Sequence, residues 1–447
     1  MNNCSKQGLD TATSNNDDKQ TRHLKHDWSW VEASIWTKGM LTALENGVKG
    51  GKWFSLIDKI FSLETLQAAW KKVRSNKGAP GIDEISIGRF EYNADIYLKE
   101  INRELREEVF QPTAVKRVHI PKGGGKMRPL GIPTVKDRII QMAIKLAIEP
   151  IFEKEFISTS YGFRPKKSAK DALREVDRLV KEGYVHVVDV DFQSYFDTIS
   201  HNQLMELVKW KISDGRVLRL IEAFLKQEIM ENNKEWTPLK GSPQGAVLSP
   251  LLANLYLHPL DLLMRSKGFE MRRFADDFVV LCKTPEKALE ALELIKKWAK
   301  IAELIIHPDK THVTDCSKEG GGFDFLGYHF SCGKRYIRKK SLNAFADKVR
   351  EKTRRTSGQS IAKTISELNP IIRGWFNYFK HAQKGYFRSL DGFVRRRLRA
   401  ILRKMNKKPG QGHTYEDHKR WPNAYFAKLG LFTMAEARVL AVASQSR

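Results

Sequence analysis

Two pairs of acidic residues are the part of the sequence best suited to chemistry. Asp189 and Asp191 lie two residues apart in a β-branched run, and Asp276 and Asp277 are adjacent between two apolar segments. Carboxylates beside a core are costly unless a cation or hydrogen bonds compensate them. Two Mg²⁺ ions held by such groups can activate an attacking hydroxyl and stabilise a leaving pyrophosphate. Either pair alone is commonly turn or strand-end chemistry, but together they favour nucleotidyl transfer.

The segments around these acids predict the elements that position them. Residues 185–192 predict a buried strand, on which Asp189 and Asp191 share one face because side chains alternate. Residues 271–281 predict a β-hairpin with the second acidic pair at its turn. The elements predicted to follow are a helix over 286–302 and strands over 311–315, 323–330 and 335–339.

Beyond residue 341 the hydrophobic pattern is helical throughout. The helices predicted there cover residues 342–355, 361–368, 371–381 and 389–405. The change from a mixed pattern to an all-helical one predicts a domain boundary near residue 340. The whole chain is therefore expected to have an α+β fold.

The positive charge is concentrated in this helical part. The chain of 447 residues has a formal net charge of +26, and residues 331–447 hold 28 Lys or Arg against 7 Asp or Glu. A patch this basic binds a polyanion by releasing counterions, whereas a solubilising surface mixes both signs. Runs of eighteen apolar residues are absent, which excludes a membrane-spanning helix. The polar first 25 residues lack a signal-peptide segment, so a cytoplasmic location is expected.

A series of motifs in chain order resembles the reverse transcriptases, and within them the group II intron branch. Phe274-Ala275-Asp276-Asp277 is similar to the Tyr/Phe-x-Asp-Asp box, with Phe where Tyr is usual. The other similar blocks are residues 76–83 (NKGAPGID), 126–134 (KMRPLGIPT), 161–165 (YGFRP), 191–197 (DFQSYFD), 242–245 (SPQG) with 249–254 (SPLLAN), 307–311 (HPDKT), 325–328 (FLGY) and 371–379 (IIRGWFNYF). The resemblance as a whole covers nearly the entire chain, from about residue 50 to residue 430. Such an ordered series is highly specific.

The resemblance implies a right-hand polymerase with fingers, an antiparallel-sheet palm and an all-α basic thumb. The domains it implies are a flexible tail over residues 1–25, fingers and palm with an N-terminal extension over 26–340, a thumb or X (maturase) domain over 341–410, and a short C-terminal segment over 411–447 with room for a minimal DNA-binding tail.

The resemblance also implies the roles of the acidic residues. Asp191, Asp276 and Asp277 would be catalytic and would hold two Mg²⁺ ions. The backbone carbonyl of Phe192 would be a further metal ligand, and Asp189 would be a structural acid.

Other roles follow for residues near the nucleotide and the nucleic acid. Phe196 would lie under the sugar of an incoming deoxynucleotide and exclude a 2′-hydroxyl, and Tyr195 is the alternative for this role. The other residues implied at the nucleotide are Lys126, Arg128, Gln244, Gly245 and Lys310, with Lys116, Arg117 and Lys122 as alternatives to Lys126. The residues implied at nucleic acid are Arg164, Arg395, Arg396, Arg397 and Arg399, although Arg164 could instead satisfy local carbonyls.

The function implied is that of an RNA-directed DNA polymerase encoded by a group II intron, which also binds its intron RNA as a splicing maturase. Its partners would be intron RNA, an RNA template, a DNA primer or target DNA and deoxynucleoside triphosphates. No membrane partner is expected, and the protein would act in the bacterial cytosol or nucleoid. The oligomeric state stays open. Two alternatives are a free-standing domesticated reverse transcriptase in defence or repair, and an RNA-binding splicing factor without polymerase activity. The intact acidic set argues against the second.

Overall fold

The computed structural model describes residues 26–123, 126–232, 234–356 and 358–443. Helices and three small sheets alternate along the first three quarters of the chain, and helices alone follow. The predicted α+β class is thus confirmed. The tail expected over residues 1–25 lies outside the described residues. Within the described ranges, no helix is long and apolar enough to cross a membrane.

The helices are spread over the whole described part of the chain. They are α1 Lys38–Asn46, α2 Ile57–Phe61, α3 Leu63–Ser75, α4 Ile87–Tyr92, α5 Ala94–Arg106, α6 Val135–Glu153, α7 Ala169–Lys181, α8 Tyr195–Thr198, α9 His201–Lys209, α10 Gly215–Leu225, α11 Ser249–Ser266, α12 Pro285–Ile301, α13 Lys339–Lys352, α14 Ile361–Phe379, α15 Gly385–Met405, α16 Tyr415–Arg420, α17 Asn423–Lys428 and α18 Met434–Ala443. A single 3₁₀ turn covers Lys49–Gly51 in the described part of the chain.

The strands form three separate sheets. They are β1 Val115–Gly123, β2 Lys126–Ile132, β3 His186–Val190, β4 Ile229–Glu231, β5 Lys234–Trp236, β6 Glu270–Phe274, β7 Asp277–Cys282, β8 His312–Asp315, β9 Phe323–Phe325, β10 Tyr328–Ser331 and β11 Lys334–Ile337. The first sheet has the order β2-β1-β4-β5, the central one β6-β7-β3-β8 and the third β11-β10-β9.

The central sheet is antiparallel throughout and carries the acidic residues. Its middle strand β3 is a β-branched run that is buried on both faces. Val188 and Val190 pack into the core that includes α11 and α12. Val187 packs on the other face with α7 and the β9-β10 hairpin. Strands covered on both sides favour such continuous apolar runs, so the end of β3 is held rigidly.

Helix α6 runs through the middle of the largest core. Thr134 caps its first turn by accepting a hydrogen bond from the Asp137 backbone N–H. The helix is buried on nearly every side, so it is enclosed by neighbours rather than lying on the surface. The indole of Trp36 in the N-terminal segment donates to the Leu146 carbonyl at 3.0 Å. The N-terminal extension is therefore part of the same packed unit.

The strand predicted over residues 323–330 is wrong, because β9 and β10 form a tight hairpin there. Leu326 and Gly327 both have positive φ, 48° and 83°. A Cβ on Gly327 would lie 3.2 Å from Ser341 Oγ and 3.4 Å from Phe379 Cζ. The turn is therefore pressed against the helical part of the chain, a contact that local sequence does not reveal.

The two helices predicted over residues 361–368 and 371–381 are one continuous helix, α14. Pro370 lies inside it, where it removes one backbone hydrogen bond and was expected to end the helix. Leu368, Ile372 and Phe376 on either side of the proline are all buried in the C-terminal core. Burial of this stripe compensates for the lost hydrogen bond, so tertiary packing outweighs the local signal.

The segment after residue 410 packs onto the preceding helices. Trp421, Phe426 and Met434 share one core with Leu398 of α15. Asp391 of α15 also accepts hydrogen bonds from the first backbone N–H groups of α18, at 3.0 and 2.9 Å. Helices α13 to α18 are thus one packed group.

Candidate active site

Asp276 and Asp277 lie at the tight turn between β6 and β7. Phe274 pairs with Asp277 across the hairpin, which leaves Ala275 and Asp276 as the two turn residues. Ala275 has a φ of 59°, in the left-handed region that few non-glycine residues adopt. Gly162 lies directly over the turn, since a Cβ there would clash with the Ala275 backbone nitrogen. Neighbouring segments therefore fix the turn closely.

Asp191 lies at the end of the adjacent strand. Val190 pairs with Phe278, so the register continued by one residue sets Asp191 opposite Asp277. Opposed residues of antiparallel strands project from the same face. The structure therefore brings Asp191, Asp276 and Asp277 to one edge of the central sheet, as the sequence led us to expect.

The turn that precedes β8 holds Asp191 by its backbone and its side chain. His307 donates its backbone N–H to the Asp191 carbonyl at 2.8 Å, and the Asp191 N–H donates to Thr311 Oγ1 at 3.4 Å. Lys310 Nζ lies 3.0 Å from Asp191 Oδ2. Lys310, expected at the nucleotide, thus neutralises one carboxylate of the candidate metal site.

Desolvation and mutual repulsion raise the pKa of two of the clustered acids. Desolvation is the largest cause for both Asp189 and Asp277, and each pKa rises from 3.8 to about 7. Asp277 keeps contact with solvent, but the protein atoms around its carboxyl group strip away part of the hydration. Charges on Asp324 and Asp191 further raise the pKa of Asp189, and those on Asp189 and Asp276 that of Asp277. Such crowding of negative charge favours the binding of cations.

The oxygen atoms of the three carboxylates and of the Phe192 carbonyl have the chemistry that magnesium requires, but the side chains do not converge on one point. Carboxylate and carbonyl oxygens are the ligands that hard divalent cations prefer. Among the described residues, however, no three His, Cys, Asp or Glu side chains converge closely enough to hold a metal ion. The Lys310 ammonium instead contacts Asp191. Asp191, Asp276 and Asp277 are the residues at this edge that would hold such an ion.

The backbone of Phe192 supports its expected role as a ligand. Phe192 forms a bridge with Ile306, flanked by hydrogen bonds to the Asp191 carbonyl and from the Gln193 N–H. In an antiparallel pair of this kind, the residue between the two bonds points its own N–H and C=O away from the partner. The Phe192 carbonyl therefore points to the side on which β7 and the acidic turn lie.

Phe196 and Tyr195 occupy different environments. Tyr195 is buried, and its hydroxyl donates to the Ala253 carbonyl at 2.6 Å. Phe196 is only partly buried, and its carbonyl accepts a hydrogen bond from the Ser242 N–H at 2.7 Å. Of the two rings, Phe196 is thus the one that can reach a bound nucleotide, next to the 242–245 loop.

The 242–245 loop is joined to the β1-β2 sheet. Gly131 of β2 donates its N–H to the Gln244 carbonyl at 2.6 Å. Gly245 has a φ of 110°, and a Cβ on it would clash with the Gly131 carbonyl, so only glycine fits. A cavity of about 30 Å³ lies here, between Gln244, Arg117 and Asp197. These contacts form one wall of a candidate nucleotide pocket.

The expected triphosphate contacts are described only in part. Lys126 begins β2, but its side chain and residues 124–125 lie outside what the structure describes. Arg128 is exposed on β2, where it pairs with Ile120. Arg117, an alternative to Lys126 from the sequence, lines the small cavity itself.

Comparison with known proteins gives two consecutive family matches. Residues 120–330 match the model for "Reverse transcriptase (RNA-dependent DNA polymerase)" and residues 342–421 match "Group II intron, maturase-specific domain". Protein YkfC of Escherichia coli K12 is 34% identical over 330 residues, which cover 64% of this chain and 84% of that protein. The chain belongs to the group II intron reverse transcriptase/maturase family. The resemblance inferred from the motifs is thereby confirmed.

Other similar proteins match a smaller share of this chain. The group II intron-encoded protein LtrA of Lactococcus lactis subsp. cremoris is 40% identical over 197 residues, which are 43% of this chain but only 32% of LtrA. A solved chain of the "Partial Cas6-RT-Cas1--Cas2 complex" is 25% identical with a TM-score of 0.36, covering 55% of this chain and 41% of that one. Membership of the family makes the protein an RNA-directed DNA polymerase, with RNA and DNA as its partners.

Two arginines expected to contact nucleic acid in this family member are inside the protein. The Arg164 guanidinium binds the Glu153 carboxylate at 2.7 Å and the carbonyls of Phe156, Ile157 and Ser160. Arg399 is 2% exposed and donates to the Trp421 carbonyl at 2.9 Å and to Asn423 Oδ1 at 3.0 Å. Neither can reach a nucleic acid here, so Arg164 follows the alternative in which it satisfies local carbonyls.

The other three arginines on α15 differ in how firmly neighbouring residues hold their side chains. Arg397 donates to Thr353 Oγ1 and to the Thr353 carbonyl, both at 2.9 Å, which ties it to the end of α13. Arg395 and Arg396 are half-buried, and Arg396 lies over the Phe393 ring. Arg395 and Arg396 are therefore the better candidates for contact with RNA.

The sequence did not single out a buried ion pair behind the acidic turn. Arg273 of β6 is 0% exposed and is paired with Asp261 of α11, which is 2% exposed. The signal available was an aspartate inside an otherwise apolar helix, together with an arginine in an apolar strand. Both features are costly without a partner, so each could have predicted the other.

Proposed function

We propose that the protein extends a DNA primer on an RNA template, with Asp191, Asp276 and Asp277 holding two Mg²⁺ ions. The bound ions would promote attack by the primer 3′-hydroxyl and neutralise the departing pyrophosphate. The observation that carries this proposal is the β3-β7 register, which sets Asp191 opposite Asp277 beside the hairpin turn. Lys310 supports it, because its ammonium already sits where positive charge is needed.

We assign the nucleotide-positioning steps to residues around the 242–245 loop. Gln244 and Gly245 would border the base pair, and Arg128 or Arg117 would meet the triphosphate, where fixed cations offset developing charge. Phe196 would lie against the sugar and exclude a 2′-hydroxyl. The contact between this loop and Gly131 supports the assignment, because it couples the pocket to the sheet that carries the cations.

We further propose that α13 to α15 form the thumb and bind structured intron RNA, with residues 26–340 as fingers and palm. The basic composition of the C-terminal part and the maturase-specific match support this proposal. The helices after residue 410 would act with the thumb, since they share its core. The proposed cellular location of the protein is the bacterial cytosol or nucleoid.

The second candidate is a free-standing enzyme in defence or repair. The DNA that flanks the coding sequence separates the two. Intron RNA domains on both sides of the gene would support the maturase function, and uninterrupted neighbouring genes would support the free-standing form.

The test of the polymerase proposal is primer extension on an RNA template with Mg²⁺. Asp276→Ala removes one of the acids at the turn, so cDNA synthesis should fall to background. RNA affinity, measured on the same preparation, should stay within about threefold, because the change is confined to one turn residue outside the basic C-terminal helices. Substantial residual extension by the variant would refute the metal assignment.

A further inference from the structure

Arg273 is a fully buried cation three residues before Asp276. Its Nε donates to Asp261 Oδ1 at 2.7 Å, and its Nη2 donates to Asp261 Oδ2. This forked pair joins β6 to α11 in a region from which water is excluded. A buried ion pair often adds little to stability compared with apolar residues of similar size. The position of this ion pair directly behind the acidic turn therefore indicates a role other than stabilising the fold.

The third arm of the guanidinium reaches the turn itself. Arg273 Nη1 donates to the Ala275 carbonyl at 3.0 Å and to Asn254 Oδ1 at 2.8 Å. That carbonyl belongs to the peptide that links Ala275 to Asp276. The amide of Asn254 donates in turn to the Gly162 carbonyl at 2.7 Å. One side chain thus ties the turn to α11 and to the segment that lies over it.

We infer that Arg273 is a positioning residue that fixes the Ala275–Asp276 peptide, and so aims the Asp276 carboxylate at the metal site. Ala275 is held in the left-handed region, and a hydrogen bond to its carbonyl is the direct means of keeping it there. Asp261 anchors the guanidinium from behind. A displacement of about 1 Å at a reacting centre can cost about 100-fold in rate. The inference rests on the proposed polymerase function.

The neighbouring residue offers a matched control. Arg272 is also buried, 4% exposed, but alternation along β6 directs it to the opposite face. Its guanidinium donates to the Met271 carbonyl and to Glu270 Oε2, both at 2.9 Å, and these contacts lie away from the turn. Arg272→Met therefore removes a buried arginine from the same strand without touching the Ala275–Asp276 peptide.

The test compares the unmodified protein, Arg273→Met/Asp261→Leu and Arg272→Met in single-turnover primer extension on RNA. The double variant removes both charges, so no unpaired ion is left in the core. At saturating deoxynucleotide its rate should fall by about 100-fold. The Mg²⁺ concentration for half-maximal rate should rise, while the deoxynucleotide KM and the RNA affinity stay nearly constant. Arg272→Met should extend at close to the unmodified rate.

A second variant keeps the test decisive if the double variant does not fold. Arg273→Lys retains a charge against Asp261 but lacks the fork that reaches the Ala275 carbonyl, so the same loss of rate and the same shift in Mg²⁺ requirement are expected. An unchanged rate and Mg²⁺ requirement in a folded variant would overturn the inference. So would a loss that appears only in the deoxynucleotide KM. Absence of extension by the unmodified protein would instead overturn the proposed function on which the inference depends.

Discussion

The acids at the edge of the central sheet have different surroundings, which agree with the different roles proposed for them. Asp191 contacts an exposed ammonium, and this is the acid that we propose as a metal ligand. Asp189, two residues earlier on the same face, lies beside the β9-β10 hairpin, where the Asp324 backbone N–H and the Arg338 charge each lower its pKa against the larger effect of burial. Identical side chains on one strand can therefore act as ligand and as support.

Phe196 is predicted to discriminate between sugars. Phe196→Ala opens space beside the 242–245 loop, so ribonucleotides should be incorporated more readily, by about 10- to 100-fold relative to deoxynucleotides. Incorporation of each nucleotide type on the same primer and template measures the ratio.

The control for this prediction is Phe196→Tyr, which keeps the bulk of the ring and should keep the discrimination. Unchanged sugar selection in Phe196→Ala would show that Phe196 does not discriminate between sugars. Another side chain of the pocket would then have this role.

At the level of residues, the acids could be predicted from the sequence because their type and setting are unusual, but the arginines could not. Arg164 and Arg399 were expected to contact nucleic acid, with satisfaction of local carbonyls as the alternative for Arg164. Both are buried with their donors satisfied. Arg273 and Asp261 were not singled out: a charge in an apolar segment indicates a buried partner, but the identity of the partner depends on the packing of β6 against α11.

Among the elements, the β9-β10 hairpin connects the acidic edge to the C-terminal helices. The Tyr378 hydroxyl of α14 donates to the Leu326 carbonyl at 2.8 Å, and the Tyr328 hydroxyl donates back to the Tyr378 carbonyl at 2.7 Å. The backbone N–H of Leu326 in turn lowers the pKa of the Asp277 carboxyl group. Leu326 thus lies between α14 and a candidate metal ligand.

The sequence predicted the elements with strong periodicity and missed those that depend on distant contacts. The β3 strand and the β6-β7 hairpin follow from apolar runs, and the structure has both. The continuity of α14 through Pro370 depends on burial of the residues around it. The short strands β4 and β5 were not predicted, because three residues carry no periodic signal; β4 forms by pairing with β1, and β5 by pairing with β4.

Helix α15 is predicted to supply RNA contacts through Arg395 and Arg396. Changing both to Gln should weaken RNA binding and reduce the slope of log affinity against log salt by about one to two, since each phosphate contact releases roughly one counterion. Filter binding across a range of salt concentrations measures both quantities.

The matched control for α15 is Lys296→Gln/Lys297→Gln on the exposed face of α12, which removes the same charge from the palm. Its salt slope should stay close to that of the unmodified protein. Equal losses in both variants would mean that net charge, rather than the position of α15, governs RNA binding.

Over the whole molecule, the excess of positive charge and the acidic site lie in different packed units. The acids sit where the large N-terminal core meets the core under β9 to β11, whereas most of the basic excess belongs to the helices with their own core. A polyanion held by the basic helices would be repelled by the acidic edge of the central sheet. Metal ions between them would relieve the repulsion, which links nucleic-acid binding to occupation of the metal site.

The most direct measurement of the central claim is single-turnover primer extension by Asp191→Asn beside Asp189→Asn. The two changes are matched in chemistry, strand and face, and only Asp191 is assigned as a metal ligand. We predict that Asp191→Asn reduces extension to background at any Mg²⁺ concentration, while Asp189→Asn keeps most of the rate and both bind RNA normally. Extension by Asp191→Asn equal to that of Asp189→Asn would contradict the account.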